Sequence, residues 1–332
     1  MDNEKEKIDF VLLWVDDNDP KWIDEYNKYR TDVGDTRSLR YRDMNLLKYW
    51  FRAVEKFTPW VNNIYFVTCG QKPDFLNVDH PKLKCVDHKD FIEQKYLPTF
   101  SSHAIEVNLH RIKGLSEQFV YFNDDMFVVS PMKKTDFFVD GKPCEAAVMD
   151  MFVPIREPLF TPPCANAVVI NRNFVKKDVL KKNFRNFYSL KYGKDVVKNI
   201  QLSVGRYFAG FHNYHQPTSL LKSTFNEVWG LEAEVLRRST SHRFRILTDV
   251  NQWLFKDWQI CKGNIYPRSV KKCYYIVIDN KNDLKNAVAA LDSRKYKLVC
   301  LNDGRIDDFD AVKSDLTNAF ERLLPEKSSF EK

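Results

Sequence analysis

The segment IDFVLLWV, residues 8–15, is an apolar run that contains a single acid, Asp9, and it ends in the polar turn Asp16-Asp17-Asn18-Asp19-Pro20. A short apolar run that stops at such a turn is typical of a buried β-strand. Apolar residues then recur at helical spacing over 46–57, and a second strand is predicted over 64–68. The order strand, helix, strand predicts a parallel sheet with helices packed on it.

Two further elements extend this pattern. Asp43 is predicted to cap the helix over 46–57, and a second helix is predicted from Ser101-Ser102 to Gly114, with apolar positions at helical spacing. A third strand, FVYF at 119–122, runs directly into Asn123-Asp124-Asp125. Because open α/β sheets bind ligands at the carboxyl ends of their strands, these polar residues mark the expected crevice.

The composition identifies a globular protein. Of the 332 residues, 44% are hydrophobic and 29% are charged, near the averages for folded soluble domains, which excludes a disordered, collagen-like or coiled-coil chain. Only 10 glycines are present and G-x-G-x-x-G does not occur, while Phe211 and His212 follow Gly205–Gly210 where a P-loop has Lys and Ser or Thr. Side chains or a metal ion must therefore hold any bound phosphate group.

The net charge of +7 is concentrated in one segment. Between Arg172 and Lys198, nine basic residues stand against two acids, Asp178 and Asp195, so this segment alone carries +7. It is consistent with an amphipathic helix on a membrane surface, with a groove for an anionic polymer, or with a solvated basic face whose aromatic residues pack into the core. A nucleic-acid partner is not expected, because no matching recognition motif accompanies the basic residues.

Cysteine spacing and the N-terminus bear on the compartment. The seven cysteines are odd in number and widely spaced, and no C-x-x-C pair occurs, so neither a disulfide framework nor a zinc ribbon is predicted. Residues 1–7 lack a signal peptide's apolar core, and no apolar run approaches the roughly 18 residues of a membrane span. We expect a cytoplasmic protein that binds, at most, the inner face of the cell membrane.

Asn123-Asp124-Asp125 is the strongest chemical candidate. Mg²⁺ and Mn²⁺ prefer carboxylate and phosphate oxygens, and two neighbouring acids at a strand end can supply one direct and one indirect ligand. A solvated turn would have the same sequence. The acids Asp16 and Asp19, at the end of a strand expected to lie alongside, favour a site for a metal ion and a diphosphate.

Two other groups of residues are candidates for proton transfer or phosphate binding. Glu106 and His110 are four residues apart, so on one helix the carboxylate would orient the imidazole, and Arg111 follows with a guanidinium suited to phosphate. An ordinary surface ion pair explains the same residues. His215, before Gln216-Pro217, has the side chain best suited to accept a hydroxyl proton near neutral pH, although a loop histidine beside proline is common.

Several blocks of this sequence resemble the Stealth family, which includes hexose-1-phosphate transferases of bacterial capsule synthesis and the animal lysosomal-enzyme N-acetylglucosamine-1-phosphotransferase. The blocks are WVDDNDP at 14–20, LPTFSS at 97–102 with AIE, HRI and GLS after it, FNDD at 122–125, HQP at 215–217, and FR with DV at 244–250. LND at 301–303 and LPEKSSFE at 324–331 are similar to the tail of bacterial members. Asp17 departs from the glycine that is more common in the family.

The resemblance implies an α/β fold with a Rossmann-like, GT-A-like parallel-sheet core and a helical elaboration in the second half. It covers residues 1–332 as one catalytic domain, with a nucleotide-sugar and metal core at 1–150, a helical acceptor and catalytic region at 151–268, and a C-terminal αβ portion at 269–332 that packs back on the core. The implied reaction transfers a hexose-1-phosphate, in our reading an N-acetylhexosamine-1-phosphate, from a UDP-sugar to a glycan hydroxyl and releases UMP.

The resemblance also implies roles for individual residues. Asp124 and Asp125 would bind Mg²⁺ or Mn²⁺ on the diphosphate, His215 would act as the base, and Arg245 and Arg111 would stabilise the phosphate oxygens. The remaining residues would bind the substrate or nucleotide: Asp9, Trp14, Asp16, Asp19, Arg42, Gln71, Ser101, Ser102, Glu106, His110, Asn123 and Asp249.

The residues themselves leave two other functions open. A metal-dependent UDP-sugar glycosyltransferase would use the same acids but would attack the anomeric carbon and release UDP. A non-catalytic binder of anionic glycan or of a membrane surface would use the basic segment and would bind in a salt-sensitive way. The expected partners of the enzyme are a UDP-sugar donor and a glycan or lipid-linked glycan acceptor, with peripheral membrane contact through residues 172–198.

Overall fold

The computed structural model describes residues 7–30, 34–36, 41–152, 162–304, 306 and 308–332. Residues 1–6, which belong to the N-terminal segment predicted to lack a signal peptide, lie outside the described residues. The strands are β1 (Ile8–Leu13), β2 (Ile64–Thr68), β3 (Leu83–Asp87), β4 (Gln118–Phe122), β5 (Met126–Val128), β6 (Phe138–Val139), β7 (Lys142–Glu145), β8 (Thr218–Leu221), β9 (Tyr266–Pro267), β10 (Cys273–Ile278) and β11 (Leu298–Asp303). The helices are α1 (Pro20–Tyr29), α2 (Leu47–Phe57), α3 (Ser102–Glu106), α4 (Pro162–Asn173), α5 (Lys176–Lys182), α6 (Phe184–Phe187), α7 (Val196–Leu202), α8 (Lys222–Ser241), α9 (Trp253–Lys262), α10 (Lys281–Asp292) and α11 (Phe309–Leu323).

The central sheet has the strand order β3-β2-β1-β4-β8. Its first four strands are parallel and β8 runs antiparallel to β4. All six residues of β1 are buried, because helices and loops cover both faces of a central parallel strand. The predicted α/β class with a parallel core is confirmed, and so are the three predicted strands; the division at residues 150 and 268 stays a prediction.

A second sheet attaches the C-terminal part of the chain to this core. Its order is β10-β11-β5, with β11 antiparallel to β5, the short strand that directly follows Asp125. The tail is fixed as well, since Arg52 of α2 donates to both carboxylate oxygens of Glu331 at 2.8 and 2.9 Å. The end of the chain therefore packs on α2 and on the loop that contains Phe75 and Asn77.

The predicted helix from Ser101 to Gly114 is wrong in its length. Only α3 is helical, and a separate 3-10 turn spans Leu109–Arg111. The Asn108 side chain donates to the Ala104 carbonyl at 2.8 Å, while its backbone N–H bonds to Ile105 instead. The side chain thus takes the acceptor that a continuing helix would use, and the helix ends.

The capping role predicted for Asp43 is also wrong. Helix α2 begins at Leu47, preceded by Leu46 with no side-chain cap. Asp43 instead accepts from the Asn45 backbone at 2.7 Å and from the Trp14 indole at 3.1 Å. Its carboxylate is thereby held at the end of β1.

The basic segment 172–198 does not form one amphipathic helix. It runs through the end of α4, then α5, α6, a 3-10 turn at Leu190–Asp195 and the start of α7. Its aromatic residues differ in solvent exposure: Phe187 is fully buried, whereas Phe184 is 61% exposed. Within the described part of the chain, no helix combines the length and apolar character needed to cross a bilayer.

Candidate active site

Acidic side chains collect at the carboxyl edge of the central sheet. Asp16 and Asp17 follow β1, Asp124 and Asp125 follow the adjacent β4, and Asp43 lies between them. We call these five residues the acid cluster. They are close enough to act on one another: Asp16 and Asp43 raise the pKa of Asp17, and Asp43 raises the pKa of Asp124. The predicted convergence of the two strand ends is therefore present.

Loss of hydration is the main cause of the raised carboxyl pKa values in the paired aspartates. It raises the pKa of Asp124 to about 8, with the charges of Asp125 and Asp43 contributing, and that of Asp125 to about 6. The Asp124 side chain is nevertheless exposed at the surface, so a ligand can reach its carboxylate from the solvent. Two crowded carboxylates of this kind gain most from a cation placed between them.

The second sheet orients Asp125. The Leu301 backbone N–H donates to the Asp125 carbonyl at 2.9 Å, and the Asn302 amide donates to its Oδ2 at 3.2 Å. The Cys300 thiol also bonds to this carboxylate. The other oxygen, Oδ1, is buried and has no partner in the described part of the structure. One oxygen is therefore anchored and the other is left for a ligand.

A divalent cation fits these donors. Asp125 Oδ1 is an orphaned acceptor beside the solvent-accessible Asp124, and hard carboxylate oxygens are the ligands that Mg²⁺ and Mn²⁺ prefer. Three His, Cys, Asp or Glu side chains do not converge as a complete metal cage anywhere in the described residues. The site thus suits an ion that takes its other ligands from substrate phosphate and water.

The loop after β1 is held by Gln71. Its amide donates to the Asp16 carbonyl and to Asp19 Oδ2, at 2.9 and 3.0 Å, and its oxygen accepts from the Asp16 backbone. Asp19 also caps α1, and Trp14 stacks on Phe66 while its indole holds Asp43. Gln71 and Trp14, both predicted to bind substrate, therefore also shape this loop.

Arg42 lies next to the acid cluster but is already paired. It donates two hydrogen bonds of 2.6 Å to Asp303, at the end of β11, and its guanidinium stacks on Phe309 at 3.9 Å. This contact joins the second sheet to the residue preceding Asp43. Binding of substrate phosphate by Arg42 would require it to exchange Asp303 for the new anion.

His215 precedes β8 at the carboxyl edge of the sheet. Its backbone is left-handed, with φ of 46°, and its ring stacks on Tyr275 at 4.6 Å between ring centres. Tyr275 is paired in register with Cys300, the residue that contacts Asp125, so it links His215 to the paired aspartates. Burial lowers the His215 pKa to about 4, and Nδ1 has no described partner. The imidazole is therefore neutral near pH 7, while its lowered pKa makes it a weaker base than a free histidine.

Arg245 completes one side of the site. It donates to the Ser102 hydroxyl at 2.6 Å, and its charge acts on Tyr121. The Tyr121 hydroxyl lies within hydrogen-bond distance of both Asn123 Oδ1, at 2.5 Å, and Glu106 Oε1, at 3.0 Å. Because Tyr121 is the residue two before Asn123, these bonds connect Arg245 with the start of the acidic tripeptide.

Two predicted binding residues next to Arg245 are buried. Asp249 accepts from the His242 ring at 2.6 Å and from the Ile246 backbone at 2.9 Å. Ser101 is likewise buried, and its hydroxyl has no partner in the described structure. Asp249 thus fixes the loop that carries Arg245 and does not face the cleft.

Asp9 lies at the opposite end of the sheet, which corrects its predicted role in the nucleotide pocket. It is fully buried near the start of β1. Its carboxylate accepts from the Asn62 amide at 2.7 Å and from the backbones of Asn63 at 3.0 Å and Ser116 at 2.7 Å. Asp9 therefore ties together the loops that enter β2 and β4.

His110 and Arg111 are also outside the acid cluster. The His110 ring packs on Phe225 at 5.5 Å between centres, and burial lowers its pKa to about 3. The Arg111 guanidinium lies 4.2 Å from the Trp229 ring of α8 and 4.0 Å from Glu93. Glu106 bonds to Tyr121 and not to His110, because the predicted helix is broken between them. The proposed Glu106–His110 pair is wrong.

A family model described as "Stealth protein CR1, conserved region 1" matches residues 6–34, and one described as "Stealth protein CR2, conserved region 2" matches residues 40–145. The acid cluster falls within these two matches, while Asn302, Tyr275 and His215 lie beyond them.

Curated relatives match almost the whole chain. A capsular polysaccharide phosphotransferase of Streptococcus pneumoniae is 43% identical over 98% of both chains. A receptor polysaccharide phosphotransferase of Streptococcus oralis is 40% identical over 98% of this chain and 99% of its own. An exopolysaccharide phosphotransferase of Lactiplantibacillus plantarum is 38% identical over 98% and 96%. A solved structure of the galactosyltransferase LgtC with donor and acceptor sugar analogues aligns over 97% and 98%, at 11% identity and a TM-score of 0.41.

Proposed function

Because this chain belongs to the Stealth family and is a transferase, we propose that it transfers a hexose-1-phosphate from a UDP-sugar to a glycan hydroxyl, forming a phosphodiester and releasing UMP. The transferred sugar would be an N-acetylhexosamine, and the product would be a capsular or other cell-surface polysaccharide. The observation that supports this most is the orphaned Asp125 Oδ1 beside Asp124, at the sheet edge where α/β proteins bind ligands. The names of the relatives agree with phosphotransfer.

In this proposal Asp124 and Asp125 hold Mg²⁺ or Mn²⁺. When bound, the ion supplies positive charge that offsets the charge of the diphosphate. Asn302 holds Asp125 Oδ2 so that Oδ1 points at the ion, and Asp43 restrains the loop opposite. Asp16, Asp19 and Gln71 form the wall after β1, on which the nucleotide would lie.

His215 is assigned as the base. A neutral imidazole stacked on Tyr275 is available to take the proton of the acceptor hydroxyl without first losing one of its own. Arg245 would stabilise the oxygens on the phosphorus under attack, with Ser102 setting the direction of its guanidinium. Arg111 has no part in this assignment, because its contacts are with Trp229 and Glu93.

The acceptor is proposed to be a glycan, free or linked to a lipid, and the site of action the cytoplasm at the inner face of the cell membrane. The exposed Asp124 leaves this edge of the sheet accessible to an acceptor, and no nucleic acid enters the proposal. Identification of the acceptor hydroxyl would follow from phosphodiester mapping of the product.

The identity of the released nucleotide distinguishes phosphotransfer from glycosyl transfer. Incubation of the purified protein with a panel of UDP-sugars, Mg²⁺ and a glycan acceptor should release UMP, measured by chromatography, and transfer one phosphate per sugar to the acceptor. Release of UDP with no phosphate in the product would instead establish the glycosyltransferase alternative, which the acid cluster would serve equally well. Glycan binding without release of either nucleotide would contradict both.

A substitution at Asn302 tests whether its hydrogen bond positions Asp125 for metal binding. Asn302→Ala should weaken Mg²⁺ or Mn²⁺ binding by about 10- to 100-fold, because residues that orient metal ligands commonly contribute this much. Calorimetric titration with Mn²⁺ measures this without turnover. Asn286→Ala, on the exposed face of α10, is the matched control and should bind as the wild type does. Unchanged Mn²⁺ affinity in folded Asn302→Ala would show that Asp125 does not depend on this bond.

A further inference from the structure

Exposed apolar side chains are concentrated in one part of the surface. Of the fourteen large apolar side chains that are exposed among the described residues, eight lie between residues 168 and 207. They are Val168, Val175, Phe184, Leu190, Val197, Ile200, Val204 and Tyr207. Single exposed apolar residues are ordinary, but a cluster of them on a water-soluble enzyme indicates a surface that another phase or partner covers.

Helix α7 shows how this surface is built. Asn199 faces inward, where its side chain accepts from the Met149 backbone at 2.6 Å and donates to the Ala147 carbonyl at 2.7 Å. Val197 and Ile200 are three residues apart on α7 and lie on its outer side, and Val204 follows in the bend just after the helix ends. Val204 is 90% exposed. The orientation of the helix therefore turns an apolar stripe to the solvent.

A buried lysine joins this stripe to a second group. Lys176 donates to the carbonyl of Leu202 and, at 3.3 Å, to that of Tyr207. It thereby holds the loop after α7 against the start of α5, beside the exposed Val175. We call the exposed side chains of residues 175–207 the apolar–basic surface. Contacts between separate helices and loops form this surface, which does not lie on a single helix.

The charges on this surface have one sign. Seven exposed cations lie in it, Lys177, Lys181, Lys182, Arg185, Lys191, Lys194 and Arg206, against a single exposed acid, Asp178. Lys191 and Arg206 extend over the rings of Tyr266 and Tyr207, at 4.1 and 5.1 Å. The cations therefore alternate with the exposed apolar side chains along residues 175–207.

We propose that the apolar–basic surface docks the enzyme on an anionic lipid bilayer. Apolar side chains inserted at the level of the head groups, with cations around them on the lipid phosphates, are the pattern of peripheral membrane attachment. A nucleic acid would be bound by the cations but would leave the apolar side chains exposed to water. This binding is independent of the chemistry at the acid cluster, so it goes beyond the proposed reaction. It would keep the enzyme near a lipid-linked acceptor.

Vesicle sedimentation tests the proposal. The full-length protein should sediment with vesicles of phosphatidylcholine and phosphatidylglycerol, less with phosphatidylcholine alone, and less as salt rises. Val204→Glu and Ile200→Glu should reduce binding, and each of Lys181→Gln and Lys182→Gln should reduce it about fivefold. Ile23→Glu on α1 and Lys285→Gln on α10 are matched controls and should bind as the wild type does. UMP release with a soluble acceptor should be unchanged in all six variants.

Three results would overturn the proposal. The first is wild-type protein that stays in solution with anionic vesicles. The second is equal loss of binding in Val204→Glu and Ile23→Glu, which would show that a negative charge added anywhere on the protein weakens binding. The third is a surface used for something else: RNA binding without vesicle binding, or a concentration-dependent dimer that Val204→Glu dissociates while vesicle binding persists.

Discussion

Asp125→Asn should reduce UMP release by about a thousandfold and should also make the metal-free protein more stable at pH 8. In the proposed reaction, activity falls because the carboxylate that would hold the ion on the diphosphate becomes neutral. Asn keeps the shape of the side chain and an oxygen that can accept from Asn302, so the fold is preserved. Steady-state UMP assays with and without Mg²⁺ measure the first effect, and full activity with undiminished Mg²⁺ dependence would remove Asp125 from the mechanism.

The gain in stability has a definite direction with pH. The folded pKa of Asp125, about 6, lies above the ordinary value near 4, so the neutral carboxyl stabilises the fold below about pH 4. That contribution is lost as the pH rises through about 6. Thermal melts in EDTA should therefore show wild type and Asp125→Asn diverging between about pH 4 and about pH 6 and staying apart above that, with Mg²⁺ restoring the wild type only. Asp315→Asn, exposed on α11, should show no divergence.

His215→Ala should lower kcat by about 10²- to 10⁴-fold, the range in which a positioned base contributes. Donor binding should be nearly unchanged, because the described contacts of the ring are with Tyr275 and Trp253. Calorimetry with the UDP-sugar separates binding from turnover. Added imidazole should restore part of the rate, which a loss of packing alone would not allow.

A substitution at a second histidine, His80, is the matched control for His215→Ala. His80→Ala removes a ring that packs on Phe330 of the tail, at 3.9 Å between centres, far along the chain from His215. It should keep the wild-type rate after correction for folded fraction. Equal turnover in the two variants, or a His215→Ala enzyme as fast as the wild type, would exclude His215 as the base.

The sheet edge could be predicted from the sequence because the signals are local. Buried parallel strands are continuous apolar runs, and the residues that follow them meet at one edge whatever the details of packing. Asp16 and Asp124 were therefore predicted as neighbours although more than 100 residues separate them. The family resemblance misplaced Asp9, because a shared motif shows that a residue belongs to a block and not which end of the strand it occupies.

Other residues depend on contacts that periodicity does not contain. Asp43 has the sequence of a helix cap, and only the Trp14 indole reveals where its carboxylate is held. Asn302 reaches Asp125 through the antiparallel pairing of β11 with β5, which joins distant parts of the chain. Glu106 and His110 were misassigned because a single side chain, Asn108, ends the helix between them.

The pairing of β11 with β5 also bears on biosynthesis. On the ribosome, the paired aspartates emerge about 175 residues before Asn302, and domains fold progressively from the N-terminus as the chain grows. A nascent chain therefore has the paired aspartates long before the strand that orients Asp125. Catalytic competence would then arise only near the end of translation, so that partial products would not consume activated sugar.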